Sequence, residues 1–434
     1  MKKAVLTVII VAVVVAVCLA YSSFFGAGNI LDMQNGTYSN YYDADYSDNS
    51  ATGSSPELDF DYSGARLPVS REEYYNYSLL NDVQKGMYDK IYNAIVTMQI
   101  GNVQLGNGTK RDAAIALYAV KYDNPQFFWL GYEYGLGISS DDSVFIRLDN
   151  GESKGYLYSD EERTAMMSEL VSTVENIFSE CVSDDMTDYE IELALHDWIC
   201  NNIQYDNASG EIAADGERND ANKESWTAYG TLVKRTAVCE GYSKAFQLLM
   251  YYAGINCNLI CGETSDNSAH MWNIAEIDGA WYHVDALWDD IEESEFGPTH
   301  AFFNVTSDFV SKTHNFYPDS TAIQNDEQIF TAQYNLSIPV CVSDEKNYFV
   351  VNNTVINSDD EFYSVVCSAM KSAAENDIDA VEFIYSYKEI NDNIVSYDIK
   401  TNRIFSAVKS YYNDFNGLKY AAYSYGSFIL KVSR

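Results

Sequence analysis

The chain has 434 residues, length for roughly two or three domains, and its 47% hydrophobic content marks a globular protein rather than a disordered one. Lysine and arginine number 27 against 64 aspartates and glutamates, a formal charge of -37. That field repels nucleic-acid phosphates and anionic membrane surfaces, which excludes nucleic acid as a partner, and a diffuse acidic surface otherwise serves solubility.

The N-terminus, "MKKAVLTVIIVAVVVAVCLAYSS", sets two lysines before an apolar run from Ala4 to Ala20, the order of a secretory signal. It predicts an exported protein, secreted or held at the cell surface. Cys18 and Ala20 supply small residues for cleavage after Ala20. The run also reaches the lower limit of a membrane span, so residues 1–20 are read as a signal peptide or a membrane anchor. Lipid attachment at Cys18 is disfavoured by the bulk of Val17. Eight cysteines become seven after cleavage, an odd count that leaves at least one thiol unpaired.

Residues 21–65 are rich in Tyr, Ser, Asn, Asp and Gly without apolar periodicity and read as a flexible tether. Within them "DADYSDNS" resembles a calcium loop only briefly. Asp48 stands where the turn needs glycine, and no glutamate closes the loop.

Residues 66–180 read as an N-terminal helical or α+β region. In "NDVQKGMYDKIYNAIVTM" the pair Asn81 and Gln84 predicts a capped helix with Val83, Met87, Ile91 and Ile95 on one face. A second helix is expected through "KRDAAIALYAVKYD", then aromatic-rich strand in "NPQFFWLGYEYG".

A domain over residues 181–338 opens with "TDYEIELALHDWICNNIQYD", where Thr187 and Glu190 form a capping box and Ile191, Leu195, Trp198 and Ile199 face inward. His196 lies in this helix and reads as a partly buried or surface histidine, since no nucleophile is near it in sequence. Residues 339–434 read as a small α+β domain: a hairpin-like "NYFVVNNTVI", a helix in "DDEFYSVVCSAMKSAAEND", a strand in "AVEFIYSY", a helix near "NRIFSAVKSYYNDF" and terminal strands in "KYAAYSYGSFILKV". The sequence holds no convincing internal repeat.

"TAVCEGYSKAFQLLMYYAGI" carries the chemistry. Tyr242, Phe246, Leu249 and Ala253 recur at helical spacing, and Gly254 sits where a left-handed terminating residue belongs. Cys239 therefore falls in the first turn, where unpaired N–H groups and the positive end of the helix dipole stabilise a thiolate. A free cysteine is otherwise just a small buried residue, so its companions decide.

They stand in "SAHMWNIAEIDGAWYHVDALWDD". Asp278-Gly279 predicts a two-residue hairpin in which Ile277 opposes Ala280 and Trp272 opposes Asp285. His270, Trp272, Asp285 and Leu287 then share a face, with His270 and Asp285 diagonal neighbours roughly 7–8 Å apart at Cβ. His270 is the expected base and Asp285 the carboxylate that orients it. His283 is the rival base, set toward the turn beside Trp281 and Tyr282. Trp226 and Tyr229 are either second oxyanion donors or packing aromatics. Cys257 and Cys261 in "CNLIC" lie too far apart on a strand to share an ion and read as core cysteines.

"AYGTLVKRTAVCEGYSKAFQLLMYYAGI", followed by "HMWNI" and "WYHVDALWDD", resembles the transglutaminase-like superfamily, above all its secreted bacterial members. The likeness extends upstream to "ALHDWICNNIQYD" and downstream to "HAFFNVTSDFVSKTH". It implies a papain-like α+β core with Cys239, His270 and Asp285 as catalytic triad, acting on amide carbonyls of a protein or peptide substrate through a thioester. Water would resolve the thioester as a protease or amidase does, and an amine as a transglutaminase does. A surface binding or scaffold module that keeps the fold with little chemistry is the alternative. Many relatives carry threonine where this chain has Leu287, and a smaller residue where it has Met271. Eukaryotic relatives use calcium, but no loop here gives a reason to expect it, and no other cofactor or metal is expected. The sequence does not fix the oligomeric state.

Overall fold

The computed structural model describes residues 30–32, 71–131, 134–148, 155–210, 223–291, 294–323, 329, 333–386 and 402–434. The signal or anchor, most of the tether and the failed calcium loop lie outside these residues. No helix among the described residues is long and apolar enough to cross a membrane.

In chain order the elements are β1 (Ile30–Asp32), α1 (Asp82–Val96), β2 (Asn102–Gly106), α2 (Lys110–Asp123), β3 (Tyr134–Ile138), β4 (Val144–Arg147), α3 (Asp160–Cys181) and α4 (Asp188–Asn202). There follow β5 (Gln204–Tyr205), α5 (Ala228–Lys234), β6 (Thr236–Ala237), α6 (Cys239–Ala253), β7 (Cys257–Thr264), β8 (Ala269–Ile277), β9 (Ala280–Val284) and β10 (His314–Phe316). The chain ends with β11 (Val355–Ile356), α7 (Phe362–Glu375), β12 (Ala380–Tyr385), α8 (Asn402–Lys409), β13 (Gly417–Ala422) and β14 (Ser427–Ser433). The fold is α+β, as the sequence predicts.

Two compact units divide the chain: residues 1–195, 203–274 and 311–339 in the first, residues 196–202, 275–310 and 340–434 in the second. In the first unit, β1, β3, β4 and β2 form a sheet in that order, with β1 parallel to β3 and the other pairs antiparallel. Its helices begin where the side chains dictate. Asn81 and Gln84 cap α1 reciprocally, Thr109 and Asp112 cap α2, and Ser159 and Glu162 cap α3.

Met87, Ile91 and Ile95 of α1 are buried as expected, but Val83 is 46% exposed, because a first-turn residue points past the packed stripe. Aromatic strand was expected from Asn124 onward, yet β3 starts only at Tyr134. Asn124 to Trp129 run through turns instead, with Phe127, Phe128 and Trp129 buried in the core, and Leu130 forms an isolated antiparallel bridge with Tyr156.

A buried polar knot secures these helices to β7. Asn76 donates from Nδ2 to Asp123 Oδ1 at 2.8 Å and to Asn258 Oδ1 at 2.7 Å, and the Tyr77 N–H donates to Asp123 Oδ2 at 2.8 Å. Burial pushes the Asp123 carboxyl up to about 7, even though these donors pull the other way.

The central sheet runs β10-β7-β8-β9. Asp278 and Gly279, at φ 52° and 79°, make the two-residue turn that the sequence predicts between β8 and β9, since both positions need left-handed backbone.

In the second unit the sheet order is β11-β12-β14-β13, with α7 and α8 supplying the apolar layer. Phe383 faces Phe428 across the β12–β14 pair, their rings 5.1 Å apart, and Val366, Met370, Ile404 and Val408 fill the core around them. The hairpin expected in "NYFVVNNTVI" is not formed. Asn347 accepts the Phe349 N–H and starts a one-turn helix, Tyr348–Val351, while β11 pairs in parallel with β12.

Candidate active site

Cys239 is the first helical residue of α6. Val238 precedes it in extended conformation and has no side chain able to cap the helix, so no N-cap side chain takes up the first-turn N–H groups. Gly254, at φ 80°, ends the helix where the sequence placed its stop, its N–H returning to Met250 and Tyr251 carbonyls.

Close backbone approach fixes that N-terminus. The Val238 N–H donates to the Ser225 carbonyl at 3.0 Å. A Cβ on Gly241 would lie 2.5 Å from the Ser225 oxygen and 2.7 Å from Thr231 Oγ1, so only glycine admits this packing.

His270 lies near the start of β8, and one hydroxyl joins that strand to the cysteine helix. Ser243 Oγ lies 2.9 Å from both the Cys239 and the Met271 carbonyl oxygens, shared between the two as donor. Asn273 donates from Nδ2 to the Ser243 carbonyl at 3.0 Å. The first turn of α6 is thus clasped to the strand at the residues on either side of Trp272. His270 and Trp272, two apart, share a face as the sequence predicts, with ring centroids 6.0 Å apart.

His314, which the sequence reading did not single out, completes an aromatic group with them. Its ring is 5.3 Å from His270 and 4.8 Å from Trp272. Its strand, β10, is only three residues long and carries no pattern of its own. The one signal available was a histidine in the downstream stretch "HAFFNVTSDFVSKTH".

Asp285 stands one residue beyond β9, the strand next to β8 in the sheet. The strand was expected to continue to Leu287. Instead Asp285 accepts the Trp288 N–H on Oδ1 at 3.2 Å and turns the chain into a one-turn helix, Ala286–Asp289, which holds Leu287.

His283 is tied into packing: Nε2 lies 3.1 Å from Ser307 Oγ, and that hydroxyl already accepts the Cys341 N–H at 2.9 Å. Tyr229 donates its phenol to Glu169 Oε2 at 2.5 Å, which commits it away from an oxyanion role. Trp226 is buried in the turn, Lys223–Trp226, that packs under the α6 N-terminus.

Among the described residues, five cysteines sit in settings that disfavour the reactive thiolate. Burial pushes the thiols of Cys181 and Cys200 up to about 11 and those of Cys261 and Cys341 up to about 12. Cys257 is raised as well, and both it and Cys261 are core residues of β7. All seven described cysteines are free thiols.

His196 corrects an expectation. It is fully buried rather than partly exposed, with Nε2 3.3 Å from Asp289 Oδ2 and Nδ1 3.1 Å from Asp197 Oδ1. Its helical pattern gave no hint of this, because Asp289 and the rings of His300 and Phe303 that pack on it come from far along the chain.

A model of the transglutaminase-like superfamily matches residues 175–286, a span that contains Cys239, His270 and Asp285. The chain is 27% identical to human (Homo sapiens) kyphoscoliosis peptidase over 128 residues, covering 27% of this chain and 18% of that protein. The mouse (Mus musculus) kyphoscoliosis peptidase is 27% identical over 131 residues, covering 27% and 19%. The chain thus spans less than a fifth of the length of these curated relatives. The crystal structure of a TGase aligns over 38% of this chain and 46% of its own, at 13% identity and a TM-score of 0.28. The similarity to the transglutaminase-like superfamily is thus carried by residues 175–286.

Proposed function

We propose that the chain is an exported thiol enzyme that attacks amide carbonyls of proteins or peptides through Cys239, His270 and Asp285. The observation that carries this reading is the Ser243 clasp, which holds the uncapped first turn of α6 against the strand bearing His270. Export rests on the composition of residues 1–20.

In this mechanism His270 takes the Sγ proton and the thiolate attacks the carbonyl carbon. The oxygen gains negative charge and is held by first-turn N–H groups of α6. The C–N bond breaks as His270 returns the proton to the leaving amine, which leaves a thioester on Cys239. Asp285, one residue beyond the strand next to that of His270, orients the imidazole and stabilises its charged form. Water, deprotonated by His270, releases a carboxylic acid. A primary amine in its place releases a new amide.

One observation favours a second reading. Cys239 keeps only 5% and His270 only 4% of their surface, which suits a binding or scaffold module with little turnover. Two assays separate the readings. Incorporation of a fluorescent primary amine into a glutamine-containing protein, or release of a peptide fragment, supports the enzyme, provided that Cys239→Ala abolishes it. Absence of both reactions across a range of protein substrates, in a protein whose Cys239 also resists an electrophilic peptide, supports the module.

A further inference from the structure

Every nitrogen of His196 and His300 faces a carboxylate oxygen. His300 sets Nδ1 2.8 Å from Glu382 Oε2 and Nε2 2.9 Å from Asp197 Oδ1. His196 sets Nε2 3.3 Å from Asp289 Oδ2 and Nδ1 3.1 Å from the same Asp197 Oδ1. One atom from each of His196, Asp197 and His300 therefore converges, all within 4.8 Å of one another.

We propose that His196 Nδ1, His300 Nε2 and Asp197 Oδ1 form a binding site for a divalent first-row transition cation, with Zn²⁺ the best match. Ligand atoms about 2.0–2.2 Å from zinc at tetrahedral angles lie about 3.4 Å from one another, and the two imidazole–carboxylate separations, 3.1 and 2.9 Å, are close to that. Two imidazoles and a carboxylate are borderline donors suited to this class of ion.

The surroundings are those of a metal centre. A ligating histidine usually donates its other N–H to a carboxylate, and here both do: His196 through Nε2 to Asp289, His300 through Nδ1 to Glu382. Those carboxylates are themselves held. Asp289 accepts the Phe302 N–H and the Thr299 hydroxyl, and Glu382 accepts the His300 N–H. Tyr348 stacks on the His300 ring at 3.8 Å between centroids and fixes its plane.

Charge is complementary as well. The carboxylates of Asp197, Asp289 and Glu382 face the two rings, so a dication meets negative charge there, and any proton on a ligating nitrogen leaves to solvent on binding. The Asp197 side chain is 38% exposed and gives an entry path, with water as the fourth ligand. Without the ion the same residues make an ion-pair network, which is the other outcome of the test.

The full chain is stripped with chelator, equilibrated with Zn²⁺, desalted and analysed for metal, with Co²⁺ substitution to read the ligand field by absorption. The proposal expects one metal per chain and a tetrahedral Co²⁺ spectrum. It expects loss of metal in His300→Gln and in Asp197→Ala, and retention in Cys239→Ser and His270→Gln, which removes the other thiol and imidazole site as the binder. Circular dichroism establishes that each variant is folded, and Asp197→Ala, at a partly exposed position, covers the case in which His300→Gln does not fold. Less than about 0.1 metal per chain in the unaltered protein overturns the proposal. So does metal retained by any folded ligand variant, or lost on substitution of Cys239 or His270.

Discussion

Two histidine clusters in this chain show how surroundings, not residue type, set what an imidazole can do. In the first unit His270 has ring neighbours, Trp272 and His314, and stands on a strand clasped to the turn that begins with Cys239. In the second unit the nitrogens of His196 and His300 are each met by a carboxylate oxygen. An imidazole with a carboxylate at both nitrogens is held charged or gives its nitrogens to a cation, whereas a base that must exchange protons cannot have both nitrogens so engaged.

The sharpest break in that comparison is chemical. Cys239→Ala and His270→Ala are each expected to lower amide turnover by at least about 10³-fold, Cys239→Ala while leaving thermal unfolding nearly unchanged because it removes only the small thiol group. Steady-state kinetics beside a melting curve checks this, and activity within tenfold of the parent contradicts it.

Asp285 caps a one-turn helix and in the proposed mechanism steadies His270, and one substitution separates the two. Asn caps a helix as well as Asp, so Asp285→Asn keeps the hydrogen bond from Trp288 yet removes the charge proposed to steady His270. We expect roughly a 10²-fold or greater loss of turnover with unfolding unchanged. Asp285→Ala adds a stability loss of about 1 kcal/mol, measurable by urea denaturation.

Gly241→Ala forces a Cβ toward the Ser225 oxygen and should cost about 1–3 kcal/mol and slow Cys239 chemistry together. A variant as stable and as reactive as the parent would mean that the α6 N-terminus is not held there.

A smaller effect appears in pH. With its folded pKa raised from 3.8 to about 7, Asp123 stays protonated in the native chain at pH values where the unfolded chain has released that proton. Its contribution is full below the unfolded value and is lost as pH rises through about 7. Denaturation midpoints of the parent minus those of Asp123→Asn should therefore fall between about pH 4 and pH 7, and a constant difference would contradict this. The smallest effect belongs to His283→Gln, which keeps a partner for Ser307 and should change turnover less than about threefold.

Local rules made much of this legible. The caps at Asn81 and Thr187, the Asp278-Gly279 turn, the Gly254 stop and the place of Cys239 in its helix depend on residues a few positions apart, which a sequence displays directly. The errors came where distant partners decide. Asn124 to Trp129 bury their aromatics without becoming strand, β11 pairs with β12 rather than closing a hairpin, and the chain leaves the sheet at Asp285. His314 and the carboxylates around His196 lay hidden for the same reason, since Glu382 and Asp289 meet the histidines only after folding.

The central claim, that His270 activates Cys239, is tested most directly by site-resolved alkylation of the native protein with iodoacetamide at neutral pH, followed by peptide mass analysis. Cys181 is the internal reference, as the only described cysteine that is not buried. The account predicts that Cys239 reacts at least about tenfold faster than Cys181 despite its lower exposure, and that His270→Ala erases the advantage while His283→Gln preserves it. A Cys239 no faster than Cys181, or one whose rate does not respond to loss of His270, would contradict it.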